Sequence, residues 1–157
     1  MSNMSENRLP AKRAVATART GNRSSADAEA RADADIATLG RKGLGAFFRI
    51  AERWQLTARQ QQIVLGEPAR STYFKWKSGQ PGALGKDTLE RLSYVAGIYK
   101  ALQILIPRAD LADAWMTQPN DAPLFNGQPP LAMLTEGSVA SLYRLRAYLD
   151  AQRGGWG

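Results

Sequence analysis

Between Arg70 and Gly79 the chain reads Arg-Ser-Thr-Tyr-Phe-Lys-Trp-Lys-Ser-Gly, and ten residues earlier Arg59, Gln60 and Gln61 stand together. Arginine and lysine pair with guanine edges or phosphates, glutamine with adenine, and serine or threonine hydroxyls with phosphate oxygens. The chemistry open to Arg59, Gln60, Gln61, Arg70, Ser71, Thr72, Lys75 and Lys77 is therefore recognition of a polyanion, DNA in the first place. Charge is concentrated in the same region. Residues 1–35 carry six basic and five acidic side chains, residues 36–79 eight and two, and residues 80–157 seven and seven, so the net +7 divides into +1, +6 and 0. A segment of 44 residues at +6 focuses positive potential where phosphates are met. The same face would also serve as an ordinary solvated surface or dock an acidic protein. Tyr73 and Trp76 could stack on bases or sugars, although aromatic residues at helical spacing more often belong to a core or an interface.

Covalent chemistry has little to work with. The chain has no cysteine, which excludes disulfides, thiolate metal sites and a cysteine nucleophile and fits a reducing cytosol. It has no histidine, which removes the commonest general base and the usual metal ligand. Asp110 and Asp113, three apart on an expected helix, read as a solvated face. No catalytic residue, metal site or cofactor is expected. The N-terminus scatters Arg8, Lys12, Arg13, Arg19 and Arg23 among small polar residues, without the apolar run of a secretory or membrane-spanning segment. The expectation is a cytoplasmic protein with no membrane contact.

The elements that must position the basic face follow from local signals. Leu44, Phe47, Phe48, Ala51 and Trp54 recur at three and four residues, which predicts a first core helix. Thr57 with Gln60 forms a capping box for a helix over Ala58 to Leu65, which Gly66 ends before the Glu67-Pro68 turn. The next helix runs from about Ala69 to Lys77, with Phe74 as its inward residue, and stops at Gly79. The pairing of these two short helices across a tight turn is the pattern of a helix-turn-helix, whose second helix lies along base edges. After Gln80-Pro81-Gly82-Ala83, Asp87 and Glu90 are expected to cap a long helix through Leu89, Leu92, Val95, Ala96, Tyr99, Leu102 and Leu105, ended by Pro107. A short helix over Asp110 to Met116, a loop over residues 118–123, and another short helix over Leu131 to Leu134 follow Pro107. Ser138 should cap the last helix, with Val139, Leu142, Leu145 and Leu149 on its apolar stripe. Residues 1–35 hold few large aliphatics and read as a loose arm, of which Ala26 to Asp35 could become helical against a partner. The expected fold is all α, with one core and five to seven helices.

Taken in order, residues 70–79, then Leu89-Glu90-Arg91-Leu92-Ser93-Tyr94-Val95-Ala96, Ala114-Trp115-Met116, Pro119-Asn120, Leu124-Phe125-Asn126-Gly127, Pro129-Pro130, Leu134 and Gly137 resemble the MbcA/ParS/Xre antitoxin family. The resemblance spans roughly residues 43–157 and is strongest to ParS-type members. It implies an Xre-like helix-turn-helix that represses its own promoter, in residues 36–106, and a small helical toxin-binding domain in residues 107–157, behind a flexible arm of residues 1–35. It further implies as partners operator DNA and a RES-domain toxin that consumes NAD or transfers its ADP-ribose. The C-terminal end of the antitoxin would enter the toxin's NAD cleft. On this chain that role falls to the last helix with Arg146, Arg153, Gly154, Gly155, Trp156 and Gly157. Glycines permit close approach and a tryptophan supplies an anchor of the hot-spot kind. Trp115, Phe125, Gly127, Pro129 and Leu134 are read as shaping that domain. A homodimer is expected, since repressors of this kind read two half-sites. The alternative is a free-standing Xre-type repressor whose C-terminal domain serves oligomerisation.

Overall fold

The computed structural model describes residues 11–154, with side chains described from residue 23. Among the described residues the chain is all helical: α1 Ala11–Arg53, α2 Ala58–Val64, α3 Arg70–Lys77, α4 Lys86–Leu105, α5 Ala109–Trp115, α6 Leu131–Leu134 and α7 Val139–Gly154. Two compact units divide it between Thr38 and Leu39. In the first, every described side chain from Arg23 to Thr38 is exposed, as the composition predicts. It departs from the expected loose arm in being helical. Alanine at 26, 28, 30, 32, 34 and 37 carries the highest helix propensity and explains the difference.

The second unit holds the core. The α1 stripe packs as its spacing predicts, with Leu44, Phe47, Ile50, Ala51 and Trp54 buried. Phe48 sits half-buried, edge-on to Phe47 at 5.4 Å and to Tyr73 at 6.0 Å. The inward face of α4 is Leu92, Val95, Ile98, Ala101 and Leu102. Ala96, expected on that face, is exposed, and Ile98 takes its place. The capping pair expected at Asp87 and Glu90 is also corrected. Gly85 is the N-cap residue, so Asp87 falls inside the first turn and accepts from Arg91 Nε at 2.9 Å, while Glu90 accepts from the Tyr94 hydroxyl at 3.2 Å. Partial burial, reinforced by that Glu90 contact, holds the Tyr94 phenol above its ordinary pKa.

α7 packs on α4, α5 contacts α4 and α6 contacts α7. Ser138 accepts from Ser141 N at 3.1 Å and starts α7, as its position in the sequence predicts. Leu142, Leu145 and Leu149 are buried beneath it. The turn before α6 is shaped by Phe125, edge-on to Trp115 at 5.6 Å and to Tyr148 at 5.1 Å. Asn126 and Gly127 follow in the left-handed region at φ 50° and 82°.

One buried cation ties these pieces together. Arg91 is 8% exposed, and its Nη1 donates to Val64 O at the end of α2 (3.3 Å) and to Gly137 O before α7 (2.9 Å). Gly66 lies against it. A Cβ there would fall 3.0 Å from Arg91 Nε, and the residue's φ of 91° already favours glycine. Arg91→Ala strands two carbonyls in a closed space and should cost about 2–4 kcal/mol in urea unfolding. Asp87→Asn removes only the exposed partner and should cost under about 1 kcal/mol. Equal effects would contradict the bridging role.

Candidate functional site

The residues of the basic face converge on the α2–turn–α3 hairpin. Thr57 starts α2 through the predicted capping box: its Oγ1 accepts from Gln60 N at 3.1 Å and its own N donates to Gln60 Oε1 at 2.9 Å. The chain reverses through Gly66 and Glu67, both with positive φ. Glu67 N donates to Gln62 O at 2.8 Å, and its carboxylate pairs with Arg59 at 2.8 Å. Pro68 then admits α3.

On α3, Tyr73 and Trp76 point inward, three residues apart. Phe74, expected inward, is instead 48% exposed. Two residues three apart occupy one helix face, and a neighbour of either is turned by about 100°. The larger pair therefore fills the core and expels Phe74. Outside stand Arg70, Ser71, Lys75 and Lys77, with Thr72 half-buried. Among the described residues Arg70, Lys75 and Lys77 make no ion pair. Arg70 Cζ lies 5.6 Å from the Phe74 ring centroid and Lys77 Nζ 5.9 Å from that of Tyr73. These three cations are free to meet phosphates or base edges.

The three α2 residues separate from them. Gln61 is buried, and its side chain is fully used: Nε2 donates to Leu56 O at 2.9 Å, and Oε1 accepts from the Tyr73 hydroxyl at 2.6 Å. It is a strut between α2 and α3, which corrects its expected place at a base edge. Its position on the inner side of the second turn of α2 is the physical reason. Gln60 gives its Oε1 to the cap and Arg59 one Nη to Glu67, which leaves Gln60 Nε2 and the other Arg59 donors without a partner among the described residues.

At the other end of the unit, Arg146 is also a packing residue. Its guanidinium crosses α4 directly over Gly97, where a Cβ would displace it, with Nη1 donating to Ser93 O at 3.3 Å and Nε to Asp150 Oδ2 at 3.2 Å. Arg153 Nη1 approaches the same carboxylate at 4.0 Å. Beyond Asp150, residues 151–154 are all exposed. Ile104, Leu105, Asp150, Gln152, Arg153 and Gly154 line a recess of ≈ 540 Å³ at this tip. Gly155, Trp156 and Gly157 lie outside the described residues. Asp110 and Asp113 do not form a pair: Asp110 takes both nitrogens of the Arg108 fork at 3.0 and 2.7 Å, which holds its carboxyl below the usual range. Asp113 faces Arg53 at 3.6 Å and Gln103 at 3.3 Å.

Two domain descriptions match the chain. Residues 35–97 match the antitoxin Xre-like helix-turn-helix domain, and residues 101–155 match the antitoxin Xre/MbcA/ParS C-terminal toxin-binding domain. The chain belongs to this antitoxin family. The antitoxin is also similar to the uncharacterized protein y4oB of Sinorhizobium fredii (strain NBRC 101917 / NGR234), with 52% identity over 112 residues, covering 71% of this chain and 84% of that protein. No solved structure matches it. The helix-turn-helix match contains α2 and α3, and the toxin-binding match contains α7.

The sequence missed Arg91, Gln61 as a strut and the Gly97–Arg146 crossing. Only Gly66 and Gly97 hinted at them, as places where a side chain comes close. Tyr73→Phe leaves Gln61 Oε1 buried without a donor, and thermal or urea unfolding should show a loss of about 1–3 kcal/mol. No loss would mean that the strut carries no weight.

Proposed function

We propose that the antitoxin neutralises a RES-domain, NAD-consuming toxin by occluding its NAD cleft with the C-terminal segment, and that it represses its own operon through α3. The observation that carries this reading is the division of free and engaged groups along the chain. Among the described residues Arg70, Lys75 and Lys77 make no ion pair, whereas Arg146 and Arg153 of α7 lie against Asp150 and Arg146 also donates to α4. Residues 151–154 at the end of α7 are exposed, and the sequence goes on as Gly155-Trp156-Gly157.

The two roles call for different physics. On DNA, free lysine and arginine displace condensed counterions, so affinity depends steeply on salt. In a toxin cleft, Arg153 meets groups that bind phosphates or acidic residues, and Trp156 fills an apolar pocket. Asp150 orders Arg153 before binding and lowers the rotamer entropy lost on association. Inhibition then requires no catalysis by the antitoxin, since a segment lodged where NAD binds excludes the dinucleotide. A homodimer would present two α3 helices to two half-sites.

Replacing Arg70, Lys75 or Lys77 by alanine should each lower the salt slope of operator binding by about one unit. Three unchanged slopes would remove α3 from the DNA interface. Removal of residues 150–157 should abolish neutralisation of the toxin while DNA binding persists. In the free-standing repressor reading, the truncation leaves every activity intact. Trp156→Ala should weaken the toxin complex by about 2 kcal/mol or more in titration calorimetry. Unchanged affinity would remove the tail from the mechanism.

A further inference from the structure

We propose that Phe74 is a specificity-determining residue of the DNA interface and reads the 5-methyl group of a thymine in the major groove. This inference rests on the reading of α3 as the DNA-facing helix given above. A single exposed phenylalanine is ordinary on a protein surface. Phe74 differs by its setting. Tyr73 and Trp76 already fill the core side of α3, so the ring has no inward position to return to. Its ring contacts are the edge of Tyr73 at 5.2 Å and the guanidinium of Arg70 at 5.6 Å. The neighbouring exposed side chains on the helix are Arg70, Ser71, Lys75, Lys77 and Ser78, all cations or hydroxyls.

An apolar centre with a cationic and hydroxyl rim is complementary to the major groove. The groove is lined by phosphates at its edges and carries one apolar feature, the thymine methyl, on its floor. An apolar protein groove would bury the surrounding charges without partners, which is costly. Arg70 opens α3, where a recognition helix addresses base edges. Phe74 stands four residues on, a rise of roughly 6 Å along the helix. Base pairs stack at about 3.4 Å, so the two side chains reach positions within about two steps of each other. The Arg70–Phe74 contact also holds both side chains together in the free protein, so less freedom is lost when they bind. The geometry thus points to a guanine and a thymine within two base pairs of one another in each half-site, read by Arg70 and Phe74 in turn.

The experiment uses full-length antitoxin and the DNA upstream of its gene, with the operator defined by footprinting. Each thymine is then replaced singly by deoxyuridine, which lacks only the methyl group. Wild-type protein should lose about fourfold in affinity at one thymine per half-site, the loss that matches removing one buried CH₂-sized group. Phe74→Ala should bind the unmodified operator more weakly, with an unchanged salt slope, and should show no further loss at that thymine. Phe74→Leu should restore part of the sensitivity. A thermal melt of both variants, expected to match wild type because the ring is half exposed, separates these effects from unfolding. Wild-type affinity that is indifferent to every deoxyuridine, or a Phe74→Ala variant as sensitive as wild type, would overturn the assignment. The absence of any footprint with wild-type protein is a different result and overturns the DNA reading itself. Intact operator binding by Phe74→Ala with loss of toxin binding would also overturn it and move the ring to a protein interface.

Discussion

The bridge made by Arg91 sets the relation between the two halves of this antitoxin. Its guanidinium sits where the last turn of α2, the first half of α4 and the turn before α7 meet, and it donates to a backbone carbonyl on either side. The last carbonyls of a helix have no partner within that helix, so Val64 O needs an external donor. The planar fork of arginine reaches two carbonyls and the Asp87 carboxylate together. The two matched domain ranges also end and begin within α4, at residues 97 and 101. DNA-facing and toxin-binding modules therefore share one helix and one buried cation, and neither can shift against the other without breaking that contact.

The same economy governs the charges. The +6 of residues 36–79 would repel itself if spread over a small surface, yet part of it is neutralised locally, by Glu67 on Arg59 and by Asp113 on Arg53. Among the described residues, the cations of this segment without an ion pair are Arg41, Lys42 and Arg49 on α1 and Arg70, Lys75 and Lys77 on α3. Beyond α3, Arg91, Arg108, Arg146 and Arg153 each face a carboxylate. Charge is thus left available on α3, where a polyanion would bind.

Much of this was legible in the sequence where the signal is local. The Thr57–Gln60 box, the stop at Gly66, the start of α7 at Ser138 and the helix over residues 131–134 depend on neighbours within four residues, and each appears as its residues imply. What failed depends on direction or distance. Gln61 and Phe74 have residue types that suit either side of a helix, and the choice was made by Tyr73, which takes both a core position and the Gln61 oxygen. Arg91 reads as a surface arginine until carbonyls 27 and 46 residues away are brought to it. Arg146 likewise needs Gly97 on another helix before its role can be seen. Residues 1–35 were read from their lack of large side chains, which agrees with the exposure of residues 23–35 and hid their helical propensity.

The most direct measurement is recovery of the full-length antitoxin from its native lysate, with mass spectrometry of the co-eluting material and an NAD-consumption assay on each separated component. A neutraliser of a RES-domain toxin should bring down a stoichiometric small protein that degrades or transfers from NAD once separated, and falls silent when the antitoxin is added back. Recovery of DNA with no protein partner would contradict that function and leave a repressor acting alone.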